Sequence, residues 1–180
     1  VCNVGKRISI VRATDYLFTS LGAAHELGHS LGASHDGEDG ARACSANDYY
    51  IMTPKEPGIH PSIPYPTNLW TFSRCSIEAF KRVLRTKDCV KKPGNLYNAD
   101  EYTKFIQQEP GEAYSLNHQC HVILGPGSTY CGVVPLNMCY IMCTDPRTGR
   151  CRDRFYMAAR GTECGRNMWC IQARCVRKAK

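Results

Sequence analysis

Four side chains that could do chemistry together fall within eleven residues: His25, Glu26, His29 and His35, in the run HELGHSLGASH. Positions four apart on a helix share a face, with Cβ atoms about 5–6 Å apart. His25 and His29 can therefore each bring an imidazole nitrogen to one Zn²⁺ at about 2.0–2.1 Å. Glu26 follows His25 by about 100° round the helix, so it can face a metal-bound water without being a ligand. Gly32 permits the left-handed conformation that commonly ends a helix, and the turn it makes can return His35 as a third ligand. Three protein ligands leave a fourth position for water, the arrangement of a catalytic rather than a structural zinc site. Three His, one Glu and one Gly at these offsets arise by chance on the order of 10⁻⁷ per start position at ordinary residue frequencies. The competing reading is an amphipathic core helix that happens to carry histidines.

The elements that must position this cluster can be read around it. The spacing predicts a helix over about Thr19–Leu31, capped by Thr19 or Ser20, with a core face of Leu21, Ala24, Leu27 and Leu31. Gly22 and Gly28 each cost about 1 kcal/mol against Ala, so packing and metal rather than propensity should hold it. The alternation Ile8-Ser9-Ile10-Val11 predicts a strand. Asp36-Gly37 and Asp39-Gly40 mark residues 36–50 as loop. Met52 taken alone reads as one more core methionine. Five prolines between residues 53 and 70 make regular structure unexpected there. That stretch should be a stiff loop that could wall a specificity pocket, with His60 on its surface. A second helix is expected over about Arg74–Leu84, capped by Ser73, with Ile77, Phe80 and Leu84 as its core stripe. Lys91-Lys92-Pro93-Gly94 then reads as a linker, and residues 98–109 as a stretch that could form a short helix.

Twelve cysteines in 180 residues point to an oxidising, extracellular setting with up to six disulfides. Eight of them fall between Cys120 and Cys175 among Gly, Pro and charged residues. Such a segment cannot bury a large core, so disulfides should replace it. Cys139 and Cys143 could pass for metal ligands, but eight scattered cysteines suit four bridges better. The formal charge is +7, with Arg and Lys dense after Arg147. No stacking or groove-reading motif accompanies that charge, which argues against nucleic acid; a solvated face attracted to anionic surfaces such as glycosaminoglycans fits better. No apolar stretch approaches the ~20 residues of a membrane span.

Residues 25–36 read HELGHSLGASHD, the zinc signature followed at once by Asp. This resembles the adamalysin (reprolysin) branch of the metzincins. Phe72-Ser73-Arg74-Cys75-Ser76 resembles the phrase that opens that family's last catalytic helix, and Asp88-Cys89-Val90 with Lys92-Pro93 its closing phrase. The tail is similar to the disintegrin-like module of the subgroup with thrombospondin motifs, in Gln119-Cys120, Gly161-Thr162-x-Cys164-Gly165 and Trp169-Cys170-x-x-x-x-Cys175-Val176. Tick salivary metalloproteases share this layout, and Gly22-Ala23-Ala24-His25-Glu26 with Gly37 looks similar to them. The resemblance implies Zn²⁺ on His25, His29 and His35 and Glu26 as general base. It implies Met52, seventeen residues beyond His35, as a Met-turn whose side chain floors the histidines. It implies the bridges Cys2–Cys89, Cys44–Cys75, Cys120–Cys143, Cys131–Cys151, Cys139–Cys170 and Cys164–Cys175. The sequence alone leaves 105 pairings of the eight tail cysteines open.

The fold class expected is α+β: the C-terminal part of a metzincin catalytic domain over residues 1–92, a linker over 93–117, and a small disulfide-rich disintegrin-like/cysteine-rich module over 118–180. Family catalytic domains are about twice as long as the part before Pro93, so the chain reads as an N-terminally truncated piece lacking the subdomain whose sheet edge pairs with substrate. No Arg-Gly-Asp tripeptide is present for integrin binding. The function expected is zinc-dependent hydrolysis of extracellular protein substrates, of matrix or plasma type, by a secreted metalloendopeptidase. The alternative is a secreted, disulfide-rich binding protein whose protease unit is vestigial.

Overall fold

The computed structural model of the chain describes residues 8–11, 16–55, 66–91, 107–132 and 138–178. Helix α1 (Tyr16–Ser30) carries the first two histidines. It begins before the expected cap, so Thr19 and Ser20 lie inside it. A hydroxyl within a helix can return its hydrogen bond to a carbonyl one turn back, so Ser and Thr need not mark a start. At the other end, the Gly32 amide donates to the His29 carbonyl at 2.9 Å and the Ala33 amide to the Gly28 carbonyl at 3.0 Å. With Gly32 at φ 95°, this is the paired-bond left-handed stop that glycine favours. A Cβ at Gly32 would also overlap the Val83 side chain.

The core face expected for α1 is only partly buried: Leu21, Ala24 and Leu31 are half-buried. Leu27 is 55 % exposed, whereas Gly28 is buried. The reason is close approach: a Cβ at Gly28 would overlap the Met52 sulfur and press on the Phe72 ring. Met52, Ala33 and Ala79 form the centre of this unit, with Ile51, Phe72 and Phe80 against them. The two phenyl rings meet edge to face at 4.9 Å.

Helix α2 (Arg74–Leu84) starts where expected, its Ser73 hydroxyl accepting from the Ser76 amide. Its buried residues are Ser76 and Ala79, and Ile77 is 42 % exposed. Of the expected stripe, Phe80 packs on the core and Leu84 is half-buried; only Ile77 turns outward, and the small Ser76 and Ala79 take the closest approach. The Cys44–Cys75 bridge staples the loop after His35 to α2. Residues 8–11 form no strand, and Ile8 and Ile10 are 84 % and 88 % exposed; a strand exists by pairing, and no partner occurs among the described residues. A 3-10 turn at Pro66–Trp70 interrupts the expected irregular loop, Pro66 tolerating the first position because its missing N–H needs no partner there. His60, most of residues 98–109 and Cys2 lie outside the described residues, and the Cys2–Cys89 pairing with them.

The chain divides into two compact units, the first carrying α1 and α2 and the second everything from residue 98 onward. In the second, a single helical turn α3 (Pro110–Ala113) precedes α4 (Leu116–Leu124), which Ser115 caps by accepting from the His118 amide. β1 (Tyr140–Thr144) and β2 (Cys151–Met157) pair antiparallel with an irregularity between Met142 and Thr144. β3 (Glu163–Gly165), β4 (Met168–Ile171) and β5 (Arg174–Arg177) form an antiparallel sheet in that order. Cys120, Cys139, Cys143, Cys164 and Cys170 make the core with Ile141, Tyr156 and Ala158. Four bridges hold it: Cys120–Cys143, Cys131–Cys151, Cys139–Cys170 and Cys164–Cys175.

One polar knot joins its helices to the segment between β2 and β3. The fully buried Gln119 amide donates to the Tyr114 carbonyl and to Thr162 Oγ1, both at 3.0 Å, and its oxygen accepts from the Ala159 amide at 2.9 Å. Beside it the Gly111 amide donates to the Arg160 carbonyl at 2.7 Å, and the Arg160 guanidinium meets both oxygens of Glu109 at 2.9 Å. Residues 109–117, expected as linker, are therefore packed on the module they precede.

Candidate metal centre

The stop of α1 turns the chain so that His35 faces back towards the helix. His35 Nε2 lies 3.1 Å from His25 Nε2 and 3.1 Å from His29 Nε2. The opposite nitrogens each find an acceptor: His25 Nδ1 the Ile51 carbonyl at 2.7 Å, His29 Nδ1 the Ala33 carbonyl at 2.9 Å, and His35 Nδ1 the Glu38 carboxylate at 3.2 Å. A carbonyl only accepts, so the proton of His25 and of His29 must sit on Nδ1. Their Nε2 atoms then present bare lone pairs, and with His35 neutral and donating through Nδ1 to Glu38 no hydrogen lies between the three. Such a cluster is stable around a cation. Tetrahedral ligands at 2.0–2.1 Å from Zn²⁺ stand about 3.3–3.4 Å apart, close to the spacing found, and three imidazoles suit zinc's preference for nitrogen. The residues present therefore fit one zinc ion.

The surroundings hold this geometry without touching the ion's position. The Asp36 amide donates to the Met52 carbonyl at 2.9 Å, and the Thr53 amide to the Tyr50 carbonyl at 2.9 Å, closing a turn over residues 50–53. Met52, fully buried, lies against Gly28 in that turn. It packs on the helix that carries His25 and His29. The fully buried Asp36 carboxylate accepts from the Ser73 hydroxyl at 2.6 Å; burial pushes its pKa up, and that hydrogen bond opposes the shift. Glu26 is half-buried in α1 beside His25.

The sequence reading brought together His25, Glu26, His29, His35 and Met52. It missed Glu38, the backbone acceptors of Ile51 and Ala33, and the Ser73–Asp36 link. The one available sign of Glu38 was its place between Asp36-Gly37 and Asp39-Gly40, two turn dipeptides that fix a residue's direction. The sulfurs of Cys139, Cys164 and Cys170 also lie near one another, but all three are consumed in disulfides.

A helix-borne pair of imidazoles, a third returned by a glycine stop and a buried methionine packed on the same helix belong to a metallopeptidase architecture. Residues 3–72 match the metallopeptidase family M12, in its reprolysin form, and residues 110–176 match the ADAMTS cysteine-rich domain 2. The chain thus joins a segment of the M12 reprolysin type to an ADAMTS cysteine-rich domain. It is similar to rat "a disintegrin and metalloproteinase with thrombospondin motifs 7", at 35 % identity over 158 residues, covering 85 % of this chain and 9 % of the relative. The mouse protein with thrombospondin motifs 12 is 32 % identical over 163 residues, 87 % of this chain and 9 % of the relative. The human protein with thrombospondin motifs 18 is 30 % identical over 155 residues, 86 % and 12 %. The chain thus spans about a tenth of the length of the curated relatives it matches. Among the described residues no helix is long and apolar enough to cross a membrane.

Proposed function

We propose that this chain carries the metal-binding, proton-transferring part of a secreted zinc metalloendopeptidase acting on extracellular proteins. The observation that carries the reading is the convergence of three Nε2 atoms whose rings are oriented from behind. When bound, Zn²⁺ supplies Lewis-acid polarisation of a scissile carbonyl and lowers the pKa of water to near 7. His25, His29 and His35 hold it in their neutral form, so acid should release metal. Glu26 accepts the proton of the attacking water on its carboxylate and delivers it to the departing amine nitrogen. Met52 and Gly28 keep the imidazoles in register by packing, with no part in the proton transfers.

Glu26→Gln should retain zinc while peptide cleavage falls by about 10²–10⁴-fold. Metal content and cleavage of a peptide library, with and without chelator, on this chain and on one extended upstream, test it. Chelator-insensitive cleavage, or full turnover by Glu26→Gln, would remove the mechanism. A second reading, binding through the cysteine-rich unit, is favoured by that unit's own closed core and by exposed Arg166, Arg174 and Arg177 along its sheet. A sulfated glycosaminoglycan is the partner such charge suits; retention on heparin that survives Glu26→Gln and is lost on neutralising these arginines would support it.

A further inference from the structure

We propose that Glu38 is a positioning residue of the metal centre, orienting His35 through Nδ1 and so setting how tightly the three imidazoles hold zinc. The inference rests on the zinc reading given above and adds to it. The three histidines are not supported alike. His25 and His29 donate to main-chain carbonyls, which no side-chain substitution removes. His35 donates to a carboxylate that is itself 57 % exposed. The neutral, metal-holding form of His35 makes this a charge-assisted hydrogen bond rather than an ion pair. A carboxylate behind a ligating imidazole fixes its tautomer and ring plane and raises its donor strength.

Glu38 is built to stay there. Its amide donates to the His35 carbonyl at 3.2 Å, and its own carbonyl accepts from the Ala41 amide at 2.8 Å. Each bond closes a four-residue turn, with Gly37 at φ 89° and Gly40 at φ 94° in the third positions, where a left-handed residue is required. Two glycine turns in succession thus pin the Glu38 backbone on both sides, with the side chain returning over the ring of the residue that begins the first. The loop is then stapled to α2 by Cys44–Cys75. The third ligand is accordingly the one whose grip a single exposed side chain governs.

The test is the zinc affinity of the folded, oxidised 180-residue chain, read by competition with a chromogenic chelator, with the cobalt-substituted absorption spectrum as a second readout of ligand geometry. Glu38→Ala should weaken zinc by about 10–100-fold and alter the cobalt spectrum. Glu38→Gln should recover much of the affinity, since its amide oxygen still accepts. Glu78→Ala, which removes an equal charge from the exposed face of α2, should leave affinity unchanged. Wild-type affinity in Glu38→Ala, an equal loss in Glu78→Ala, or a Glu38→Gln affinity no better than that of Glu38→Ala would each overturn the assignment. A wild-type chain that takes up no zinc would instead overturn the metal centre itself, which keeps the two failures apart.

Discussion

The centre of the first unit is a thioether among alanines and phenyl rings; the centre of the second is five half-cystines around an isoleucine and a tyrosine. The difference follows from what each must leave free. The first unit has to aim three imidazole nitrogens at one point, and it does so with reversible devices: a glycine helix stop, carbonyl acceptors and one buried methionine. The second carries no such cluster among its described residues and can be fixed covalently throughout. Local order is simple to specify with cystines where no side chain must remain available, and demands many hydrogen bonds where several must.

The largest effect expected is on the covalent side. Replacing Cys139 and Cys170, both fully buried, by alanine should cost about 2–5 kcal/mol and lower the urea midpoint of the second unit while the first still binds zinc. Loss of zinc binding in that variant would break the comparison. Gly32→Ala should cost the first unit about 1–2 kcal/mol for left-handed backbone alone, with the Val83 overlap added. Its thermal midpoint should fall together with zinc affinity, and the second unit's should hold. Gln119→Leu strands the Ala159 amide and should cost the second unit about 1–3 kcal/mol, seen by calorimetry; a neutral result would show that cystines alone suffice there.

The smallest effect is electrostatic. Arg152 first, and then the Arg147 amide, hold the Asp145 carboxyl below its ordinary value of 3.8. A lowered folded-state value gives stability that is present above the ordinary pKa and lost as pH falls through the lowered one. The thermal midpoint of the second unit should therefore decline below about pH 4 less steeply in Asp145→Asn than in the parent.

Fixed offsets made the three-histidine cluster readable: steps of four and six residues encode one face and one turn, and α2 announced itself through Ser73. Faces were read less well. Leu27 and Ile77 follow a helical apolar period yet are exposed, because burial here depends on how closely two backbones approach. Gly28, Ser76 and Ala79 mark that approach by lacking bulk, which an apolar count scores as nothing. Ile8–Val11 alternates as a strand should, but alternation cannot supply a partner. Glu38 was invisible because its role arises from two turns and a ring brought together, not from a spacing.

Ser73 joins two things that a linear description separates. Its hydroxyl oxygen takes the Ser76 amide at the start of α2, while its hydrogen goes to the Asp36 carboxylate, next in the chain to His35. Fraying at the first turn of α2 and slackening of the third imidazole are thereby one event rather than two. Any ligand or neighbour that grips the start of α2 would also be felt at the three imidazoles.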